Sequence, residues 1–166
     1  HLLEEKKHET VLEINLNSIA NNINIYKDLL FPETKLLVMV KAFGYGAGTK
    51  ELGQVLQRSK VDYLGVAYAD EGTDLRNEGI NLPISVMNAE KGSFENIIEN
   101  NLEPSIFSFK QLDDFIRKLI DLGIKEYPIH IKLDTGMSRL GFQQEEINNL
   151  ISIIKSQPEV RVNSVF

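Results

Sequence analysis

The sequence contains, from Val38 to Gly48, the stretch Val-Met-Val-Lys-Ala-Phe-Gly-Tyr-Gly-Ala-Gly. The stretch begins as an apolar, β-prone run that ends at Lys41, and it continues into a glycine-rich loop that holds Tyr45. A helical pattern follows over residues 50–60. The order of strand, loop and helix is that of a βα unit, which predicts a parallel sheet when it recurs along a chain.

The same alternation recurs along the whole chain. Apolar runs predict strands at Val11–Leu16, Lys35–Lys41, Tyr63–Tyr68, Ile84–Asn88, Pro104–Ser108, Ile129–Asp134 and Val160–Phe166. Helical spacing predicts a first helix capped by Asn17 and further helices near residues 50–60, 70–78, 93–100, 109–122 and 143–156. Strands that alternate with helices imply right-handed crossovers. The regular spacing favours a (β/α)8 TIM barrel over a doubly wound sheet.

The chain is shorter than a complete barrel. It has 166 residues, whereas a complete (β/α)8 barrel takes about 250. We therefore predict an α/β fold in which residues 11–166 form part of a TIM barrel with about six of its eight strands. Residues 1–10 are predicted to be a leader or linker. Because an incomplete barrel leaves a strand edge unpaired, we expect this chain to be a fragment of a larger barrel.

Composition argues against several classes of function. The net charge is −6 and basic residues do not cluster, which disfavours a nucleic-acid partner. The chain has no cysteine, so we predict no disulfide, no catalytic thiol and no metal site. No apolar run approaches the ~18 residues of a membrane span, and the charged start does not resemble a secretory signal. We expect a cytoplasmic protein without a membrane partner.

Lys41 is the first candidate catalytic residue. A lone lysine that closes a buried strand is costly unless its amine is used, and an uncharged amine is the nucleophile of Schiff-base lysines. The glycine loop before a helix offers bare backbone N–H groups that can hold a phosphate. An aldehyde-reactive amine beside a phosphate seat points to pyridoxal 5'-phosphate (PLP). The alternative is a solvated lysine followed by an ordinary tight turn, and the spacing alone does not exclude it.

A second candidate site surrounds the strand predicted at Ile129–Asp134, where the sequence from His130 to Phe142 reads His-Ile-Lys-Leu-Asp-Thr-Gly-Met-Ser-Arg-Leu-Gly-Phe. Period-two alternation places His130, Lys132 and Asp134 on one face. Because the outer helices need the apolar face, we expect the polar face to point into the barrel. Three ionisable groups there are expensive unless they serve a site. The alternative is that Lys132 and Asp134 simply pair with each other or with neighbouring residues.

Together the two motifs resemble alanine racemase, a family of PLP enzymes that interconvert L- and D-alanine. The first resembles the signature valine-x-lysine-alanine-x-x-tyrosine-glycine, and the second, from Lys132 to Gly141, resembles the other signature of the family. The resemblance extends from Leu12 to Phe166 with the same order and spacing of motifs. It departs at Phe43, where the family usually has asparagine or aspartate, and at Ala47, where histidine is usual.

The resemblance implies a role for each matching residue. Lys41 would hold PLP as a Schiff base and act as one of two bases that move the α-proton of alanine. Tyr45 would hydrogen-bond the cofactor phosphate. Arg139 would reach the phenolic oxygen of PLP and help to place the substrate carboxylate. Lys132 would match a lysine that many family members carry as a carbamate, which steadies that arginine.

The resemblance also implies what lies outside this chain. The family closes its barrel with further strands and adds a C-terminal β-domain, which supplies the second, tyrosine base across a homodimer. We therefore expect the C-terminal β-domain to be absent here and the chain alone to be inactive. The complete enzyme would racemise alanine and supply D-alanine for peptidoglycan. The stretch from Glu4 to Thr10 resembles a junction seen behind a Mur ligase domain.

Three other interpretations remain open at this point. The first is a PLP-binding barrel of the cofactor-homeostasis type, which would use Lys41 but resembles the segment Thr135–Phe142 poorly. The second is a broad-specificity amino-acid racemase, against which the combination of Lys132 and Arg139 argues. The third is a non-catalytic half-barrel.

Overall fold

A computed structural model describes residues 10–166 of the chain, so residues 1–9 of the predicted leader or linker lie outside the described part. The helices are α1 (Leu16–Leu29), α2 (Lys41–Tyr45), α3 (Thr49–Arg58), α4 (Ala69–Asn77), α5 (Phe94–Glu99), α6 (Phe109–Asp121) and α7 (Ile147–Lys155). The strands are β1 (Leu37–Met39), β2 (Tyr63–Val66), β3 (Ile84–Val86), β4 (Glu103–Ile106), β5 (Tyr127–Ile131) and β6 (Val160–Val165).

Over residues 10–166 the strands form one 6-stranded sheet in the order of the sequence, β1-β2-β3-β4-β5-β6. Each neighbouring pair is parallel, and each connection from one strand to the next contains at least one helix. This sequential order is that of a TIM barrel, whereas a doubly wound sheet reverses direction at a switch point. The predicted α/β fold, a partial barrel with six parallel strands, is confirmed.

The core lies between the sheet and its outer helices. Leu64, Ile84, Ile106 and Ile129 lie in four consecutive strands and are fully buried. From the helices, Phe115 of α6 is equally buried, and the Phe115 ring packs edge-on against Phe94 and Tyr127. Burial of this apolar face is the main favourable contribution to the stability of the βα units.

The concave face of the sheet carries a polar cluster that sequence patterning did not predict. Three side chains meet there: Tyr63 from β2, Glu103 from β4 and Asn163 from β6. These strands are not adjacent in the sheet, so their side chains can touch only on its concave side. The Asn163 amide donates to Glu103 Oε2 at 3.0 Å and to the Tyr63 hydroxyl at 3.2 Å. The Tyr63 hydroxyl in turn donates to Glu103 Oε2 at 3.2 Å.

The strand predicted at Val11–Leu16 is wrong, because residues 10–15 form no strand and α1 begins at Leu16. Strand formation needs a neighbouring backbone and a face to bury, and here Leu12 is 76% exposed. The helix cap is also displaced from the predicted Asn17 to Asn15. The Asn15 side chain accepts hydrogen bonds from the backbone N–H groups of Asn17 at 3.0 Å and Ser18 at 3.2 Å.

None of the helices within residues 10–166 is long and apolar enough to cross a lipid bilayer.

Candidate functional site

A cavity of ≈ 470 Å³ opens at the carboxyl ends of the strands. Lys41, Tyr45, Lys132 and Arg139 all line it. The four residues come from two segments that are far apart in sequence, and parallel strands bring them together because their carboxyl ends meet at one end of the barrel. The structure therefore brings together the four residues to which the resemblance assigns a role in cofactor or substrate binding. This end of a TIM barrel is also where active sites of the fold are found.

Other residues that line the cavity were missed by the sequence analysis. Met39, Ala67, Tyr68, Met87, Asn88 and Leu140 complete its wall. Tyr68 and Asn88 are polar residues at the ends of the strands predicted at Tyr63–Tyr68 and Ile84–Asn88. Their place at a strand end was the available signal, because the loops after barrel strands carry the site.

Lys41 and Tyr45 are the two ends of α2, which is a single left-handed turn. Ala42 has φ 52° and ψ 57°, Phe43 has φ 55° and ψ 42°, and Gly44 has φ 61° and ψ 38°. Left-handed conformation costs a residue with a side chain about 1–2 kcal/mol, so three consecutive left-handed residues are rare. The turn rotates the chain so that both Lys41 and Tyr45 reach the same cavity.

Two features of the turn favour glycine at position 44: its φ of 61° is left-handed, and there is no room for a side chain. It is buried against α3, and a Cβ at this position would lie 2.8 Å from Leu52 Cδ2. Phe43 and Ala47, where the chain departs from the family signature, do not line the cavity. Phe43 is 67% exposed, whereas Ala47 is half-buried and packs on the core. Both departures therefore lie outside the lining of the cavity.

The second motif enters the cavity through Lys132 and Arg139. Lys132 follows β5 and is half-buried, and its Nζ lies 4.7 Å from the centre of the Phe166 ring. Arg139 is exposed on the loop that follows. A cation–π contact of this kind is a weak attraction between the Lys132 ammonium and the face of the ring.

Asp134 does not point into the barrel as predicted. β5 ends at Ile131, so the period-two pattern does not continue to Asp134. The Asp134 carboxylate instead accepts backbone hydrogen bonds from Gly136 at 3.0 Å and Ser138 at 2.9 Å, and a third from the Gln143 amide at 2.9 Å. The bonds from Ser138, Gln143 and Gly136 hold the pKa of Asp134 below its ordinary value. Asp134 therefore folds the loop that carries Arg139.

Gly141 closes the same loop against the chain that leaves β5. Its φ is 135°, and a Cβ there would lie 2.5 Å from the carbonyl carbon of Leu133. The close approach lets Phe142 pair with Leu133 in a short parallel bridge. Phe142 is almost fully buried, and it anchors the end of the loop in the core.

His130 points to the inside of the barrel as predicted, but it does not line the cavity. It is 4% exposed, and its Nδ1 lies 2.7 Å from the Ser164 hydroxyl. Its Nε2 lies 3.0 Å from Glu103 Oε2, yet the alignment is not that of a hydrogen bond. His130 therefore belongs to the polar cluster with Glu103, Tyr63 and Asn163. That cluster supports the barrel beneath the cavity.

Residues 10–166 contain no group of three or more histidine, aspartate or glutamate side chains that could hold a metal ion. The ionisable side chains that line the cavity are those of two lysines, one arginine and two tyrosines.

The sequential parallel sheet and the lysine-bearing cavity at its carboxyl end define a partial (β/α)-barrel whose cavity lies where the fold carries its active sites. A family model described as the N-terminal domain of alanine racemase matches residues 14–166. The chain belongs to this family.

Individual relatives give the same result. The alanine racemase of Synechocystis sp. is 32% identical over 157 residues, which cover 93% of this chain and 42% of that protein. The alanine racemase of Clostridium perfringens strain SM101 is 36% identical over 160 residues, which cover 93% of this chain and 40% of that protein. This chain thus spans about two fifths of the length of these curated relatives.

Solved structures of alanine racemases superpose on the same part. The Clostridium difficile 630 enzyme is 34% identical with a TM-score of 0.82, and the match covers 92% of this chain and 40% of that one. The alanine racemase from E. faecalis is 26% identical with a TM-score of 0.86, and the match covers 92% of this chain and 42% of that one.

Proposed function

We propose that the protein carrying this chain is a PLP-dependent alanine racemase that interconverts L-alanine and D-alanine. The observation that carries the proposal is the convergence of Lys41, Tyr45, Lys132 and Arg139 on one cavity. The membership of the family and the names of its relatives support the choice of alanine as the substrate.

The side chains of the cavity suit PLP. The Lys41 amine can bond covalently to an aldehyde carbon, the Tyr45 hydroxyl can donate to a phosphate oxygen, and the Arg139 guanidinium can donate to a phenolate. The volume of ≈ 470 Å³ lies within the usual range for cofactor sites. When bound, PLP supplies an electron sink for the charge left as the α-proton of the amino acid departs.

The residues of this chain would divide the remaining work. Lys41 Nζ would take the α-proton from one face of the α-carbon, or return it to that face. Arg139 would orient the substrate through hydrogen bonds to its carboxylate, for which a planar charged donor is well suited. Lys132, which lines the same wall, would steady Arg139, and conversion to a carbamate would give it the opposite charge to the guanidinium.

The rest of the proposal concerns parts of the protein that this chain does not match in its relatives. Racemisation needs a second proton-transfer group on the opposite face of the α-carbon. We propose that this group comes from the part of the full-length protein that corresponds to the uncovered part of the relatives, and that it reaches the site across a homodimer. The 166-residue chain alone would therefore not racemise alanine. The product D-alanine would serve peptidoglycan synthesis in the cytoplasm.

The experiment that tests the proposal combines covalent trapping with a racemisation assay on the full-length protein. Borohydride reduction in the presence of PLP, followed by peptide mapping, should place the adduct on Lys41, and Lys41→Ala should remove both the adduct and turnover. Lys50→Ala is the matched control, because Lys50 lies in the first turn of the neighbouring helix α3 but pairs with Glu78 at 2.6 Å outside the cavity.

The outcomes separate the alternative functions. An adduct on Lys41 without turnover of any amino acid would favour the cofactor-homeostasis type of barrel. Turnover of many amino acids at similar rates would favour the broad-specificity racemase. An adduct that persists in Lys41→Ala would overturn the assignment of the lysine.

A further inference from the structure

Glu71, at the start of α4, holds two loops of the barrel with one carboxylate. Its Oε2 accepts hydrogen bonds from the backbone N–H groups of Ala67 at 2.7 Å and Tyr68 at 3.2 Å, next to its own helix. Its Oε1 accepts a bond from the backbone N–H of Ala42 at 2.6 Å, in the preceding βα unit. The sequence analysis did not single out Glu71, and it does not line the cavity.

Capping of α4 explains only part of this arrangement. A glutamate in the first turn of a helix commonly accepts a bond from the residue that caps it, which accounts for the contact with Tyr68. Ala42 lies 29 residues earlier in the sequence, so its bond to Glu71 contributes nothing to the helix cap. The bond to Ala42 instead fixes the start of α2, to which Ala42 belongs.

Ala42 is the first left-handed residue of α2, directly after Lys41. Inside the turn, the Gly44 N–H donates to the Val40 carbonyl at 3.0 Å. The Ala42 N–H has Glu71 as its acceptor. Since Ala42, Phe43 and Tyr45 all have positive φ, the left-handed turn carries a conformational cost that contacts from outside must offset.

We propose that Glu71 is a positioning residue for the PLP site, which acts by holding the left-handed turn between Lys41 and Tyr45. The inference rests on the proposed function for the identity of the cofactor, but the hold of Glu71 on the turn is a property of the protein without it. Loss of the Glu71–Ala42 bond lets the turn relax, and the Lys41 amine and the Tyr45 hydroxyl no longer converge on the cavity.

The bond requires a carboxylate, because three N–H donors converge on the Glu71 side chain and an amide offers only one acceptor oxygen. Glu71→Gln would place an NH2 group against one of the backbone N–H groups. Glu71→Asp would keep a carboxylate near the start of α4, yet its side chain is shorter by one methylene and would not span both loops. Glu71→Asp therefore removes the bond to Ala42 while a carboxylate remains near the start of α4.

The first test is amide hydrogen exchange of the full-length protein without PLP. We expect residues 40–48 to exchange about tenfold faster in Glu71→Gln and in Glu71→Asp, since a hydrogen bond to a charged group is lost. The matched control is Asp62→Asn, which weakens a carboxylate contact at the opposite end of β1, where Asp62 Oδ2 accepts a bond from the Leu36 N–H at 2.7 Å. This control should not change exchange in residues 40–48.

The second test is titration of the same variants with PLP, followed by absorbance. The dissociation constant should rise about tenfold in both Glu71 variants and remain unchanged in Asp62→Asn. Glu71→Asp should melt near the temperature of the unmodified protein, which excludes general unfolding as the cause.

The outcomes distinguish this inference from the proposed function. Unchanged exchange of residues 40–48 in both Glu71 variants would overturn the positioning role, even if Lys41 forms the PLP adduct. Failure of the unmodified protein to form any adduct on Lys41 would overturn the proposed cofactor, while faster exchange in the variants would still support the hold of Glu71 on the turn.

Discussion

Glu71 and Gln111 occupy equivalent places in two βα units of the barrel. Glu71 accepts a hydrogen bond from the N–H of Ala67 at 2.7 Å, and Gln111 Oε1 accepts one from the N–H of Phe107 at 2.9 Å. In both cases the donor lies 4 residues before the acceptor in the sequence. Each side chain lies in the first turn of the helix that follows its strand. The same local interaction thus ties the strand to the helix in the second and fourth units.

The two side chains differ in the group that they find on the preceding loop. Glu71 meets the Ala42 N–H, which is a donor, whereas Gln111 meets the Ala89 carbonyl, an acceptor that receives a bond from its Nε2 at 2.7 Å. A carboxylate at residue 71 can accept from the Ala42 N–H, and an amide at residue 111 can donate to the Ala89 carbonyl. Each side chain thus matches the polar group that the neighbouring unit presents, and the Gln111 amide also donates to Ser105 of its own unit.

The equivalence predicts that Gln111→Glu destabilises the protein. Gln111 is buried, and its Nε2 donates to the carbonyls of Ala89 and Ser105, at 2.7 Å and 3.1 Å. A carboxylate cannot donate these bonds, and it would set a buried negative charge against two oxygens. We expect the free energy of unfolding to fall by about 2–4 kcal/mol in a urea titration.

Gln111→Met is the uncharged comparison: it also removes both donated bonds, and in addition it removes the acceptor of the Phe107 N–H. We expect it to be more stable than Gln111→Glu. Equal stability of the two variants would contradict the argument from charge and leave packing as the cause.

Glu103 makes stability depend on pH at the acid end. Burial opposes its ionisation, but the contact with His130 and the hydrogen bond from Asn163 outweigh burial, and the pKa of Glu103 in the folded protein lies below its ordinary value of 4.5. A lowered folded pKa stabilises the protein above the unfolded value, and this stabilisation is lost as the pH falls through the folded value.

We therefore expect the free energy of unfolding to decrease as the pH is lowered below about 4.5, the ordinary value for the carboxyl. Glu103→Gln should be less stable near neutral pH and should show a shallower decrease in acid. The measurement is urea unfolding at a series of pH values, with the exposed residue Glu145 changed to Gln as a control. An equally steep acid decrease in Glu103→Gln would show that other carboxyl groups dominate.

Much of the fold and of the site could be predicted from sequence because barrel geometry connects them. Once the strands are placed, their carboxyl ends must meet, so Lys41 and Lys132 were expected at one site and they line one cavity. The helices and most strands follow from apolar periodicity, which directly reports the face that is buried.

Other features depend on contacts that periodicity does not encode. The left-handed α2 has no apolar repeat, and the Glu71–Ala42 bond that accompanies it joins different units. In the sequence, Asp134 continues the period-two pattern of β5, but in the structure three hydrogen bonds to its carboxylate hold it in the loop after the strand. The alternation of Val11–Leu16 likewise predicted a strand for which the described chain offers no neighbour.

Gly141 is predicted to be essential for the position of Arg139. A Cβ there would lie 2.5 Å from the carbonyl carbon of Leu133, and φ is 135°. Gly141→Ala should therefore displace the loop, lower stability by about 1–3 kcal/mol and reduce alanine turnover in the full-length protein. Gly92→Ala is the control, because a Cβ at Gly92 meets nothing within 4 Å. Normal turnover in Gly141→Ala would show that the loop adapts without moving Arg139.

Lys132 and Arg139 are predicted to act as a unit in the full-length enzyme. Both line the cavity, and the loop between them is folded by Asp134, so a change at one residue should alter the other. If Lys132 steadies Arg139, loss of Lys132 already impairs the arginine, and the second substitution then costs less than it does alone. A double-mutant cycle on kcat/KM for alanine should give a coupling energy of about 0.5–3 kcal/mol.

The control for this cycle pairs Lys132 with Arg117, which lies on α6 and forms an ion pair with Asp113 at 2.9 Å away from the cavity. Substitutions of Lys132 and Arg117 should be additive, because well-separated sites without shared partners act independently. If the Lys132–Arg139 cycle is as additive as this control, then Lys132 does not act through Arg139. In that case its contact with the Phe166 ring, 4.7 Å from Nζ to the ring centre, would be its main role in the barrel.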